Sequence, residues 1–252
     1  MRYTSNSNPV MSDKFFSKIS GTDVMTYEGA MQKIGILLGF TVISALITSA
    51  YSLNALATGN IALLSALALG GVICGLIMML VIYITRPKNP APLMLTYAIL
   101  EGVFIGAMST VMESVFPGII IQAILGTLAI FISMYFLYVS KVLRPTPTFN
   151  KVVISLTMSI MLLYVISMII SLATPYQMPL LHSSSPMGIA LTVFILVVAA
   201  LNLIMDFGFI ERSVQNQTPK VGEWWGAFGM LVTLIWIYIE VLRLLMKLRS
   251  RN

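Results

Sequence analysis

The chain has 252 residues, of which 58% are hydrophobic and only 10% charged, with a mean hydropathy of +0.93. No soluble domain of this size has that composition, so a soluble enzyme or a soluble nucleic-acid-binding module is excluded. The net charge of +6 suits contact with nucleic acid or anionic lipid in general, but its distribution along the chain gives it a different meaning.

A membrane-spanning helix needs about 20 mainly apolar residues. Seven segments meet that requirement: Met31–Tyr51, Ile61–Ile84, Pro92–Met112, Gly118–Val139, Val152–Ala173, Met187–Ile210 and Trp224–Met246. The expected fold is therefore an all-α membrane protein with one domain over residues 31–246. A polar, Ser- and Asn-rich tail precedes it at 1–30, with no signal-peptide pattern, and a basic tail follows at 247–252.

In chain order, Thr26 stands where an N-cap is expected for the first span. Gly35 with Gly39, and Gly71 with Gly75, have the spacing of close helix contacts. Cys74 reads as a small core residue. Arg86-Pro-Lys-Asn-Pro-Ala-Pro92 is a short, stiff turn, so spans two and three should form a tight antiparallel hairpin. Pro145 and Pro147 stiffen the connection between spans four and five. The connection between spans five and six holds Pro175, Pro179, Pro186 and the only histidine. His182 reads as a surface residue of an outer loop, with pH sensing as the alternative. The 18 methionines read as flexible apolar filler. Trp224 and Trp225 suit an interfacial belt at the start of the last span, with Trp236 deeper in it. One Cys and one His cannot build a metal cluster, and no cofactor is expected.

Eleven of the fifteen basic residues share one side if all segments cross: Arg2, Lys14, Lys18, Lys33, Arg86, Lys88, Lys141, Arg144, Lys151, Arg212 and Lys220. The three other junctions carry none. The positive-inside rule then puts the N-terminus in the cytoplasm. Arg243, Lys247, Arg249 and Arg251 break the pattern, because seven crossings place them outside. Either they are tolerated there or the last segment does not cross completely; its length favours crossing.

Three acids lie inside spans: Glu101, Asp206 and Glu240. An ionised side chain at mid-bilayer costs roughly 3 kcal/mol, so such acids are paired, protonated or next to water. Asn202 lies one turn before Asp206 and can hydrogen-bond its carboxyl. No basic residue lies one turn from Asp206 on its own helix. For Glu240 the simplest reading is an intrahelical pair with Arg243, three residues on. For Glu101 it is a packing hydrogen bond. Glu113, Glu211 and Glu223 stand at span ends and read as solvated. Counted along upright helices, Asp206 lies about 9 Å deep, Glu101 about 14 Å and Glu240 about 20 Å. Asp206 and Glu240 therefore meet only if the last helix tilts or starts below the headgroups. Acids that did meet would titrate as a coupled pair.

Thr26-Tyr-Glu-Gly-Ala-Met-Gln-Lys, Leu100-Glu-Gly, Leu203-Ile-Met-Asp-Phe-Gly-Phe-Ile-Glu, Glu223-Trp-Trp-Gly-Ala-Phe-Gly and Trp236-Ile-Tyr-Ile-Glu-Val-Leu-Arg-Leu-Leu resemble the bacterial branch of the Bax inhibitor-1 family, also called the transmembrane Bax inhibitor motif family. The resemblance covers residues 26–246. It implies seven helices with the last surrounded by the other six, in the bacterial inner membrane. It also implies a pH-sensitive calcium leak, with calcium as the permeant ion. By position, Asp206 and Glu240 match the family's proton-sensing acids and Arg86 the arginine that latches the first of them. Glu240 stands where the best-studied members carry Asp, and Gly208 where a second acid is expected. Glu101, Asn202 and Arg243 are candidates for pore or supporting groups.

The expected function is a proton-gated cation leak, not an enzyme. The alternative is a non-conducting regulator that binds and stabilises other membrane proteins. An intramembrane aspartyl protease would need a Gly-x-Gly-Asp motif, which is absent; a retinal protein would need a mid-helix lysine, and every lysine stands at a span edge.

Overall fold

The computed structural model describes residues 23–173, 181 and 183–251. The expectations for the N-terminal tail up to residue 22, and for Pro175, Pro179 and His182, fall outside them. Among the described residues are seven helices long and apolar enough to span a membrane, as expected. They are α1 (Tyr27–Ala57), α2 (Ile61–Thr85), α3 (Ala91–Val115), α4 (Ile119–Val139), α5 (Pro147–Ala173), α6 (Pro186–Gln215) and α7 (Gly222–Arg249).

Local chemistry sets the boundaries. Thr26 caps α1 by accepting from Gly29 N at 2.9 Å. Asn60 caps α2 by accepting from Leu63 N at 3.0 Å. Arg86 closes α2 in the left-handed region, at φ 41°. Helix α7 runs on to Arg249, so Lys247 belongs to the helix and not to a tail.

The chain divides into two compact units, and α6 and α7 each contribute to both. One unit holds α1, α2, α3, the end of α6 from Phe209 and the start of α7 to Leu231. Here α3 is the hub, and its small residues make it so. A Cβ added at Gly102 would meet the Thr41 carbonyl and sit 2.7 Å from Ser44 Cβ. One added at Gly106 would sit 3.0 Å from both Ala45 Cα and Thr48 Cβ. The contacts advance in the same direction on both helices, so α1 and α3 run parallel. Ser44 Oγ donates to Ile99 O at 2.8 Å, which seals the same seam. On α2, a Cβ at Gly71 would sit 2.8 Å from Phe104 N, and one at Gly75 2.9 Å from Glu101 Oε1. These contacts run in opposite senses, which is the expected antiparallel hairpin. The expected contact at Gly35 and Gly39 is not made: nothing lies within 4 Å of an added Cβ at either. Cys74 is likewise exposed on α2 and not in the core. The spacing of small residues was the same in both helices; only the face turned inward differed.

In the same unit an antiparallel bridge joins Val24 to Pro219. Met25 N donates to Thr218 O at 2.7 Å and Lys220 N to Asp23 O at 2.9 Å. The start of α1 is thereby tied to the start of α7. Trp225 is buried, not part of an interfacial belt, and Tyr97 packs edge-on against Phe228 at 5.0 Å.

The other unit holds α4, α5, α6 as far as Gly208 and α7 from Val232. Phe207 is clasped by Phe131, Tyr135 and Tyr138 of α4, with ring centroids 5.5–5.6 Å away. Ile160, Leu181, Ile195 and Val198 form a buried cluster, packed by Tyr164 and Trp236 among others. Lys247, near the end of α7, reaches Gly188 at the start of α6, so these helices run antiparallel and α7 extends as far as α6 does. Within the two units α7 touches α1, α3, α4, α5 and α6. In its most apolar window 56% of residues are buried, against 44% for α6 and 17–33% for α1 to α5, so α7 is the most buried of these helices.

The α3 seam gives a sharp contrast. Gly102→Ala and Gly106→Ala should each lower stability by about 1–3 kcal/mol through overpacking. Gly35→Ala and Gly39→Ala should be neutral or stabilising by up to about 1 kcal/mol. Thermal unfolding of the four variants in detergent reads the difference, and equal effects at all four positions would contradict the seam.

Candidate functional site

The buried charges of α4 to α7 lie at successive levels along one side of α7. The first level is centred on Asp206, which is 4% exposed. Thr233 Oγ1 donates to Asp206 Oδ2 at 2.6 Å. Asn202 does not serve Asp206, as its spacing suggested. Its amide donates to Thr157 Oγ1 at 3.0 Å and to Val198 O at 2.8 Å. The amide thus ties α6 to α5 and holds the helix from which Asp206 projects.

The second level is centred on Glu240, which is 1% exposed. Its Oε1 accepts from Tyr164 Oη at 2.5 Å and from Arg243 Nη1 at 2.7 Å. Arg243 Nη1 also donates to Tyr164 Oη at 2.6 Å. The tyrosine hydroxyl thus donates to the acid and accepts from the base, which closes a three-membered ring of charge-assisted bonds. Glu240 Oε2 is buried and has no hydrogen-bond partner among the described residues. The intrahelical Glu240–Arg243 pair is present, but Tyr164 of α5 joins it, which spacing on one helix cannot show.

At the third level Lys247 is 4% exposed, and its Nζ donates to Gly188 O and Thr192 Oγ1, each at 2.9 Å. Arg243 and Lys247 are thus both held by protein groups. Of the basic cluster that breaks the positive-inside pattern, Lys247 is therefore buried and Arg243 is bonded to Glu240 and Tyr164.

Asp206 and Glu240 are the pair that the family resemblance implied. The structure gives them separate partners. Asp206 meets α7 at Thr233, seven residues before Glu240. That is about two turns, or 10.5 Å along the axis. Gly208, where a second acid was expected, has no space for one. An added Cβ would collide with Pro145 Cγ and lie 3.3 Å from Pro145 Cβ.

In the unit of α1 to α3, Glu101 is half-buried, shares a hydrogen bond with Tyr97 and lies under Gly75 of α2. Arg86 lies over the Tyr83 ring, 5.5 Å from its centroid. Glu223, read as solvated, is instead fully buried. Lys33 Nζ pairs with it at 2.6 Å, while Thr26 N and Oγ1 donate to it at 3.0 and 3.1 Å. Gly29 leaves the space that this carboxylate fills. The pairing explains why Thr26, Gly29 and Lys33 occur together at the start of α1. Glu113 and Glu211 are half-buried at their span ends.

Seven apolar helices with ionised groups matched inside them define a multi-pass helical membrane protein. A family model described as Bax inhibitor 1 like matches residues 8–250, and the chain belongs to this family. No curated protein and no solved structure matches the chain.

Removing one partner of a buried ion pair leaves an uncompensated charge. Arg243→Met should therefore cost about 3–5 kcal/mol of stability. Combining it with Glu240→Gln should recover most of the loss, because the charge that needed a partner is gone. Thermal unfolding in detergent of the single and double variants measures both steps; a single variant as stable as the parent would show that Arg243 does not hold Glu240.

Proposed function

We propose that this protein is a pH-sensitive cation leak in a bacterial inner membrane, with calcium as its permeant ion and its N-terminus in the cytoplasm. The observation that carries the reading is the burial of two carboxylates at different levels of one helix interface. Asp206 takes the hydroxyl of Thr233. Glu240 keeps one oxygen without a hydrogen-bond partner among the described residues. Both are oxygen ligands of the kind that hard cations take. Family membership supports the membrane setting, and the basic residues on one set of junctions support the orientation.

Protonation is the switch in this reading. Thr233 donates to an ionised Asp206; a protonated carboxyl is itself a donor, so the α6–α7 contact changes its bonding when the proton arrives. A change of this kind biases two states of the helix pair without moving any other charge. Arg86 stands at the position that the family resemblance gives to the latching arginine. Glu240 acts separately, within its ring with Tyr164 and Arg243.

The test is flux into liposomes loaded with a calcium dye, measured between about pH 5 and 8, the range in which a switch of this type has to respond. The parent should show a pH-dependent flux. Asp206→Asn should flatten the pH profile, Arg86→Gln should displace it, and Glu240→Gln should alter the rate. Flux that is unaffected by both Asp206→Asn and Glu240→Gln would sink the reading. No flux from well-folded parent protein, together with a partner that co-purifies in equal amount, would favour a non-conducting regulator.

A further inference from the structure

Between the two carboxylate levels, each of the three helices presents an apolar residue. On α5, Ile160 lies between Thr157 and Tyr164. On α6, Ile195 and Val198 lie between Thr192 and Asn202. On α7, Trp236 lies between Thr233 and Glu240. These residues are not scattered. Ile160, Ile195 and Val198 are 4%, 1% and 1% exposed, belong to one cluster, and Trp236 packs against it. The polar groups on either side are bonded across the same three helices: Asn202 to Thr157 and Thr233 to Asp206 on one side, Tyr164 to Glu240 and Lys247 to Thr192 on the other.

We infer that Ile160, Val198 and Trp236, backed by Ile195, form the barrier that separates the two polar levels of the α5–α6–α7 bundle, so that passage of an ion requires this layer to become hydrated. The inference rests on the leak reading and names the place where the leak is held shut. An apolar constriction stops ions because it offers nothing in place of their hydration shell. From Thr233 to Glu240 the layer measures about 10 Å along the helix axis, longer than a single hydrogen bond spans.

Two atoms mark where hydration begins. Trp236 Nε1 and Glu240 Oε2 are both buried, and neither has a hydrogen-bond partner among the described residues. They belong to residues one turn apart on the same face of α7. One is a donor and the other an acceptor. A buried donor or acceptor without a partner is costly, so the layer gains when water reaches these two atoms. The barrier is therefore apolar in its body and polar at the rim on the Glu240 side. Opening can start there without any large rearrangement of backbone.

The experiment has two independent arms. In liposome calcium flux at a fixed pH where the parent is closed, Val198→Ser and Ile160→Ser should each raise the leak by about tenfold or more, as expected when an apolar constriction is made wettable. Leu162→Ser, at an exposed position of α5, should leave it unchanged. In the second arm, Cys74→Ala provides a background free of other thiols. Asn202→Cys and Thr192→Cys are then treated, one at a time, with a membrane-impermeant methanethiosulfonate reagent from either side. The two positions should react from opposite sides, and Val198→Cys from neither. If Asp206→Asn alters flux but Val198→Ser and Ile160→Ser do not, the barrier is elsewhere and the leak reading stands. If no protein conducts, the leak reading fails, and the labelling decides the layer. Reaction at Asn202→Cys and Thr192→Cys from opposite sides keeps it as a permeability barrier, while reaction of both from one side, or of neither, overturns it.

Discussion

Hydrocarbon solvates charge so poorly that every ionised group placed inside this protein has to be matched by protein. Helix α7 is where that constraint is concentrated. Near its start, Glu223 is fully buried and takes Lys33 and two donors from Thr26. Near its end, Glu240, Arg243 and Lys247 are met by Tyr164, Thr192 and the carbonyl of Gly188. Between them Asp206 of α6 takes a hydroxyl from Thr233. The neighbouring helices are positioned by the need to supply these partners at the right depth. Apolar packing alone would tolerate many registers of helix against helix; buried charge tolerates few.

Small residues supply the other half of the specification. In a bilayer, lipid tails compete with apolar side chains on equal terms, so helices associate through close backbone approach and hydrogen bonds. Gly102 and Gly106 let α1 lie against α3, and Gly71 lets α2 approach it from another side. Ser44 and Ser49 add hydrogen bonds along the α1–α3 seam. The large apolar residues on the outer faces, such as Leu46, Ile77 and Phe136, remain exposed because the bilayer is their solvent.

Much of the fold was legible in the chain. The seven spans appear as helices at nearly the expected positions, extended at some ends by caps and polar turns. The hairpin of α2 and α3 follows from its proline-stiffened turn. The Glu240–Arg243 pair follows from a spacing of three on one helix. The readings that failed all concern which way a residue faces. Gly35 and Gly39 have the same spacing as Gly102 and Gly106, yet face open space. Cys74 is exposed, Trp225 is buried, and Asn202 turns to Thr157 instead of Asp206. Glu223 and Lys247 looked terminal and therefore wet, and both are buried. Where nearly every position of a helix is apolar, hydrophobic periodicity no longer separates an inner from an outer face.

The sequence by itself determined that the chain crosses a membrane, how many times, which family it belongs to, and that acids lie within the spans. Each of these depends on composition and local spacing, which need no knowledge of neighbours. Only the tertiary structure decided which groups the acids meet. Asp206 and Glu240 were matched to one pair through family position, yet they engage different partners two turns apart on α7. Tyr164, Thr233, Thr192 and Lys33 became relevant only when their helices came together. The physical reason is that the partner of a buried charge is fixed by the relative register of separate helices. Register is set by side-chain contacts between segments far apart in the chain, and no local pattern encodes it.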